Sequence, residues 1–422
     1  GGPEQNIEFD TYEFTRIYKK YKPLFEDDGS NNDKKSPEIK KLYDEAELLY
    51  VNRIKNIKGS KSGFDTLLST MEILRKRAGS LDPSAEALKP VQANGRLEKI
   101  SKMLLNRIAK TGGRNNSPIQ KQLNEASDYF KNMVEYHLNL DFEPRNLVGD
   151  DYDNVKEARY GNNRISGPKG DHGTHVSGII AANRNNELGM KGICENAKIM
   201  TIRAVPDGDE RDKDVANAIR YAVDNGAKVI NMSFGKSLSP NKKEVDDAVK
   251  YAFSKDVLLI HAAGNDSKNL EKDKNYPTAK FEAIDYTAPN WIEVGASSWQ
   301  TGKKLTASFS NYGKTKVDVF APGVDIYSTI PENKYEAMSG TSMAAPVVAG
   351  LAALIRSYYP SLSAIQVKQI IEKSAIPYTK KVKIPGSKKK TKLSELCKTG
   401  AIVNAYEAMK LAEQVASGKV VL

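Results

Sequence analysis

Three short segments of this chain carry side chains of catalytic type in settings that could aim them. In Asp171-His172-Gly173-Thr174-His175-Val176-Ser177-Gly178 a histidine flanked by glycine opens a helix, so its imidazole can point out of the scaffold. In Ala262-Ala263-Gly264-Asn265 an asparagine stands at the end of an apolar strand, where its amide can donate a hydrogen bond into a crevice. In Ser339-Gly340-Thr341-Ser342-Met343-Ala344-Ala345-Pro346 a serine opens a long apolar helix. Free backbone N–H groups and the positive end of the dipole at such a terminus favour a developing anion. The small neighbours let another backbone come close. Each segment alone is a weak signal, because a histidine beside glycine is more often structural and Ala-Ala-Gly-Asn also reads as a loop. Their strength lies in occurring together, in this order.

The elements that must position them are strands alternating with helices. Residues 197–205 (AKIMTIRAV), 227–234 (AKVINMSF), 257–263 (VLLIHAA) and 291–296 read as buried strands. Between and after them, residues 215–225, 243–254, 341–358, 362–373 and 402–415 have helical periodicity, and 380–392 is a lysine-rich loop. Near-continuous apolar runs separated by helices predict a mostly parallel sheet covered on both faces, an α/β fold.

Before residue 150 the chain changes character and is charged and helical. Ser36-Pro37-Glu38 reads as an N-cap, a first-position proline and an early acid, and Ile39, Leu42, Ala46, Leu49, Tyr50 and Ile54 follow at helical spacing. Ser117-Pro118-Ile119-Gln120 opens a second such helix with a capping-box glutamine, running to about Leu138. Segments 8–22, 63–78 and 94–110 also read as helical, with Asp28-Gly29-Ser30-Asn31-Asn32, Gly59-Ser60 and Gly112-Gly113 as breaks. These helices are expected to pack as hairpins. His137, among Met133, Tyr136 and Leu138, reads as a packed or surface histidine. The expected domains are therefore a helical region over 1–150 and an α/β core over 151–422.

With 28% charged and 39% hydrophobic residues over 422 positions, the chain has material for a large core or two domains. No run of 18 apolar residues predicts a membrane-spanning helix. The net charge of +11 is read as solvated lysines, and no motif supports nucleic-acid binding. Cys194 and Cys397 could form one bridge or remain two buried thiols, and no Cys/His spacing resembles a zinc site. The opening Gly1-Gly2-Pro3-Glu4 is neither a signal peptide nor a methionine start, so the natural beginning is expected to lie upstream.

The three segments together closely resemble the subtilase family of serine peptidases: GDHGTHVSG as the histidine motif, AAGN as the oxyanion motif and GTSMAAP as the nucleophile motif. The resemblance covers about residues 165–375. It implies a subtilisin-like core with an all-helical insertion ahead of the histidine motif. It implies that Ser342 attacks a peptide carbonyl, that His172 moves the proton, and that Asn265 and the Ser342 N–H hold the oxyanion. By the same resemblance His175 is structural, Ser233-Phe234-Gly235 pairs with an extended polypeptide substrate, and Ala262, Ala263 and Gly264 wall the S1 pocket. The acid-rich residues 206–214 (PDGDERDKD) would favour basic substrate residues, or simply be a solvated loop. No cofactor is required; a structural calcium on the loop Asn183-Arg184-Asn185-Asn186-Glu187-Leu188 is the one metal the resemblance suggests. It also implies work outside the cytoplasm, in the periplasm, at the cell surface or secreted.

The family's aspartate, which ends a buried strand before Ser/Thr-Gly, has no match upstream of His172. Asp10 lacks the glycine, Asp28 follows acids, and Asp150, Asp151 and Asp153 sit in a polar turn. Two readings follow. Either an N-terminal fragment of the same enzyme carries the aspartate as a partner, or the chain is an inert homologue that binds through its helical insertion.

Overall fold

The computed structural model describes residues 5–26, 36–78 and 117–422. The expected helix over 94–110, the breaks at Asp28–Asn32 and Gly112-Gly113, and the candidate Asp28 lie outside them. The chain divides into two compact units, one of residues Phe9–Glu143 and the other joining residues 5–8 to 144–422.

In the first unit the helices are α1 (Glu13–Glu26), α2 (Pro37–Ala78) and α3 (Ser117–Asn132), the last continued by a wide turn over Met133–His137. Ile17, Tyr43 and Ala46 are buried where α1 and α2 pack, and Ile57 is buried in a cluster with Phe130, Met133 and Leu138. Gly59-Ser60 does not break α2, contrary to the sequence reading. Glycine weakens a helix by about 1 kcal/mol, and the many helix-forming residues on either side carry the chain through it. His137 is buried, its Nδ1 is 2.9 Å from the Asp10 carbonyl, and its ring stacks on Tyr12.

Residues 144–162 belong with the second unit, which is why the expected division at 150 and the observed one at Glu143 differ. Arg145 donates to Asp214 at 2.8 and 2.9 Å and pairs with Asp150, and the fully buried Lys213 is held by Asp150 and Glu157. Buried charges must be paired, so these contacts fix the segment.

The helices of this unit begin with α4 (Asp171–Ala181) and α5 (Asp212–Asp224). The sheet then starts with β1 (Val229–Met232), followed by α6 (Lys242–Ser254), β2 (Leu258–Ala262), β3 (Trp291–Ser297) and β4 (Val319–Pro322). After a hairpin, β5 (Ile326–Ile330) and β6 (Lys334–Met338), come α7 (Thr341–Tyr358) and α8 (Ala364–Ser374). The remaining elements are β7 (Ile376–Pro377), β8 (Val382–Lys383), β9 (Lys390–Thr391), β10 (Ala401–Ile402) and α9 (Ala405–Ala416). The six-stranded sheet runs β1-β2-β3-β4-β10-β7 and is parallel except for the last pair. Side chains alternate across it. Leu258, Ile260 and Ala262 face α7, and Leu259 faces α5 and α6, so both surfaces are dry.

Two expectations for this unit fail. Residues 380–392 form the small β8–β9 hairpin rather than a loop. Residues 197–205 carry no strand, and Ile199 and Met200 are exposed. Apolar residues make a strand only where a neighbour completes its ladder, and β1 is an end strand of the sheet with no such neighbour beside it among the described residues.

Candidate active site

Ser342 is the second residue of α7. Its Oγ donates to the Ser233 carbonyl at 3.2 Å, Ser233 Oγ returns a bond to the Ser342 carbonyl at 2.9 Å, and Asn231 Nδ2 donates to Ser233 Oγ at 2.9 Å. The helix start is thereby stitched to the chain leaving β1.

Asn265 follows β2 and the turn at Gly264. Its Oδ1 accepts the Thr341 N–H at 2.9 Å and the Thr341 hydroxyl at 3.0 Å, while Thr341 Oγ1 accepts the Gly264 N–H at 3.0 Å. With the carbonyl side engaged, the amide nitrogen faces the other way. A methyl carbon placed on Gly340 would lie 3.5 Å from Asn265 Nδ2 and 3.6 Å from the Ser342 nitrogen. Both nitrogens therefore lie within 3.6 Å of one point beside the serine, a placement from which two N–H donors could reach a developing oxyanion.

His172 lies in the first turn of α4 and is exposed. One turn on, Val176 shares an apolar cluster with Met343, the neighbour of Ser342, so the N-terminal turns of α4 and α7 lie side by side. Partial desolvation by the residues packed around it lowers the His172 pKa from its ordinary value even though the ring stays accessible to solvent, and the neighbouring His175 adds to this. The ring is thus largely neutral at pH 7, the form that accepts a proton. No hydrogen bond joins His172 to Ser342; such bonds commonly tighten only when substrate arrives. His175 is buried with Nε2 3.1 Å from the Glu336 carbonyl, a packing role.

The other expected site residues lie on two neighbouring segments. Ser233, Phe234 and Gly235 follow β1, while Ala262 ends β2 and Ala263 and Gly264 follow it, with Ala262 and Ala263 buried. Asn275 spans them: its Nδ2 donates to the Ala262 carbonyl at 3.1 Å, and a methyl carbon on Gly235 would lie 2.5 Å from its Oδ1. Gly264, at φ 101°, would bring a methyl carbon to 2.4 Å from Asn311 Nδ2, so only glycine fits. The buried Asn311 donates to the Ala263 carbonyl at 2.8 Å and accepts the Asp266 and Lys268 N–H groups. The sequence reading missed Thr341, Asn275 and Asn311 as supports and His261 as a buried polar group. A histidine inside VLLIHAA was the one visible signal, since an imidazole in a buried run needs partners.

The acid-rich residues 206–214 do not form an open acidic rim. Asp212 pairs with Lys236 at 2.8 Å and accepts the Asn241 N–H, Asp214 is held by Arg145 and Tyr160, and Glu210 is buried. Asp150 is likewise committed to Arg145 and Lys213. The 183–188 loop does not suit calcium: Asn183 Oδ1 and Asn186 Oδ1 accept backbone N–H groups, and Arg184 lies within it, donating to the Gly192 carbonyl. Among the described residues no cluster of three or more His, Cys, Asp or Glu is placed to hold a metal. Cys194 and Cys397 are buried free thiols, and no described helix is long and apolar enough to cross a membrane.

The subtilase family model matches residues 31–401. The chain is 45% identical over 205 residues to a thermophilic serine proteinase of Bacillus sp. (strain AK1), a match spanning 48% of this chain and 46% of that protein. It is 40% identical over 205 residues to thermitase of Thermoactinomyces vulgaris, covering 48% of this chain and 67% of that one. It is 38% identical over 206 residues to subtilisin DY of Bacillus licheniformis, covering 48% and 70%. The chain thus spans less than half of the Bacillus proteinase.

Proposed function

The chain belongs to the subtilase family, and on that premise we propose that it is a serine endopeptidase whose acyl-enzyme forms at Ser342. The observation that carries this reading is the placement of Asn265 Nδ2 and the Ser342 nitrogen within 3.6 Å of one point beside the serine at a helix start. Ser342 Oγ attacks the scissile carbonyl as its proton passes to His172. The oxyanion is held by the two N–H donors, and His172 returns the proton to the leaving amine. Residues 233–235 pair with an extended polypeptide, and 262–264 form the wall beside its side chain.

The triad aspartate comes from an N-terminal segment of the same enzyme, bound as a strand along the free edge of β1. Two observations support this: β1 ends the sheet, and the apolar residues 197–205 stand without a ladder and expose Ile199 and Met200. A strand laid there would pair both edges and bring a carboxylate toward His172. The enzyme works outside the cytoplasm. Residues of the helical unit are an insertion between the aspartate and histidine motifs.

Labelling with a fluorophosphonate probe tests the reading. Ser342 labels slowly in the chain alone and much faster when the upstream segment is present, with protein cleavage appearing in parallel. Absence of labelling in both preparations would leave the inert, scaffold-type homologue as the better description.

A further inference from the structure

His261 is the one imidazole built into the sheet. On β2 it lies on the face opposite Ile260 and Ala262, in register with Met232 of β1 and Glu293 of β3, and it is fully buried. Its Nδ1 is 2.9 and 3.0 Å from the two Glu293 oxygens, and its Nε2 is 2.9 Å from the Phe234 carbonyl. Trp291 donates its indole N–H to Glu293 Oε2 at 2.9 Å and packs on the ring at 5.2 Å. A carbonyl can only accept, so Nε2 must carry the hydrogen for that contact to hold. Nδ1 then faces the Glu293 carboxylate.

We propose that His261, oriented by Glu293, is a positioning residue that fixes the spacing and backbone orientation of the two segments 233–235 and 262–264. This rests on the peptidase reading above. His261 is the residue before Ala262, so it leads into one segment, and its bond ends on Phe234 in the other. By turning the Phe234 carbonyl inward, it leaves the flanking carbonyls of an extended segment on the opposite side, and Ser233 does accept from Ser342 there. The far end of the segment is held by Lys236, which pairs with Asp212 and donates to the Glu210 carbonyl. Behind Glu293, Asp318 accepts its N–H at 2.7 Å, and Lys368, Lys398 and Glu372 surround Asp318. Burying such a pair costs desolvation that an apolar residue would avoid. Stability alone therefore does not account for a histidine in this run.

Two probes of the same phosphonylating chemistry test the proposal on the full chain: a bare fluorophosphonate, and one carrying a four-residue peptide that must lie along residues 233–235. His261→Phe slows the peptide probe by about ten- to a hundredfold and leaves the bare probe within about twofold, the scale of one charge-assisted hydrogen bond. His261→Gln, whose amide N–H can reach the Phe234 carbonyl, restores part of the loss. Equal loss for both probes, or none for either, overturns the proposal. If the bare probe labels neither protein, the peptidase reading fails, and ¹⁵N imidazole spectra of the parent chain still decide: a hydrogen on His261 Nε2 at neutral pH is expected, and an Nδ1–H tautomer overturns it.

Discussion

Thr341 and Asn265 are joined twice, with the threonine N–H and hydroxyl both donating to Asn265 Oδ1, at 2.9 and 3.0 Å. An amide held by its oxygen has no freedom left to turn its nitrogen away from Ser342. Asn265→Leu is therefore expected to slow fluorophosphonate labelling of Ser342 by roughly 10²–10³-fold, the range known from subtilisin for losing one oxyanion donor. Thr341→Val keeps the backbone bond but removes the hydroxyl, which donates to Asn265 and accepts the Gly264 N–H, so labelling should fall by about ten- to a hundredfold for two hydrogen bonds.

The His172 ring must be neutral to take a proton. Desolvation and then His175 lower its pKa from 6.5, so labelling should rise with pH and reach half its plateau below pH 6.5. A carboxylate brought beside the ring stabilises the charged form. Adding the aspartate-bearing segment should therefore move that midpoint upward while raising the plateau. Rates measured from pH 4.5 to 8.5, with and without the segment, check both statements.

Glu210 is buried, and desolvation pushes its pKa up to about 8, with Lys236 opposing and Asp209 adding to the rise. Its folded value lies above the ordinary 4.5, so the native protein binds the proton more tightly than the unfolded chain does. That contribution is complete below pH 4.5 and is lost as pH climbs through 8. Glu210→Gln should flatten this part of the profile and raise the melting temperature relative to the parent at pH 9. Thermal melts at pH 5, 7 and 9 test it.

Lys213 and Asp150 are both fully buried and paired, and Lys213 also reaches Glu157 at 2.7 Å. Removing Lys213 leaves Asp150 with Arg145 alone and takes the ion pair from Glu157. Lys213→Met should cost up to about 3 kcal/mol in urea unfolding, the lower end of the range for breaking a buried pair, because Arg145 still compensates Asp150. Early proteolytic cuts in 144–162 would accompany the variant, since these contacts hold that segment.

Much of this molecule was legible in the residues because the signals are local. Apolar runs and 3.6-residue periodicity located β2, β3 and α7, the last over the whole span 341–358. The resemblance of three short motifs then named Ser342, His172 and Asn265. Failures came where an outcome depends on a neighbour distant in sequence. Residues 197–205 have the composition of a strand, but composition supplies no ladder partner. The acids of 206–214 read either as an acidic rim for basic substrate residues or as a solvated loop, yet Lys236, Arg145 and Tyr160 come from elsewhere to pair with Asp212 and Asp214.

What the sequence by itself determined is the kind of chemistry and the elements that carry it, because residue type and short-range spacing are written along the chain. What only the tertiary structure decided is orientation and partnership. Which way the Asn265 amide points depends on Thr341, 76 positions away. That His261 meets Glu293 on one side and Phe234 on the other follows from the register of three strands. A hydrogen bond demands distance and direction at once, and no pattern along a single chain encodes either for residues that meet only after folding.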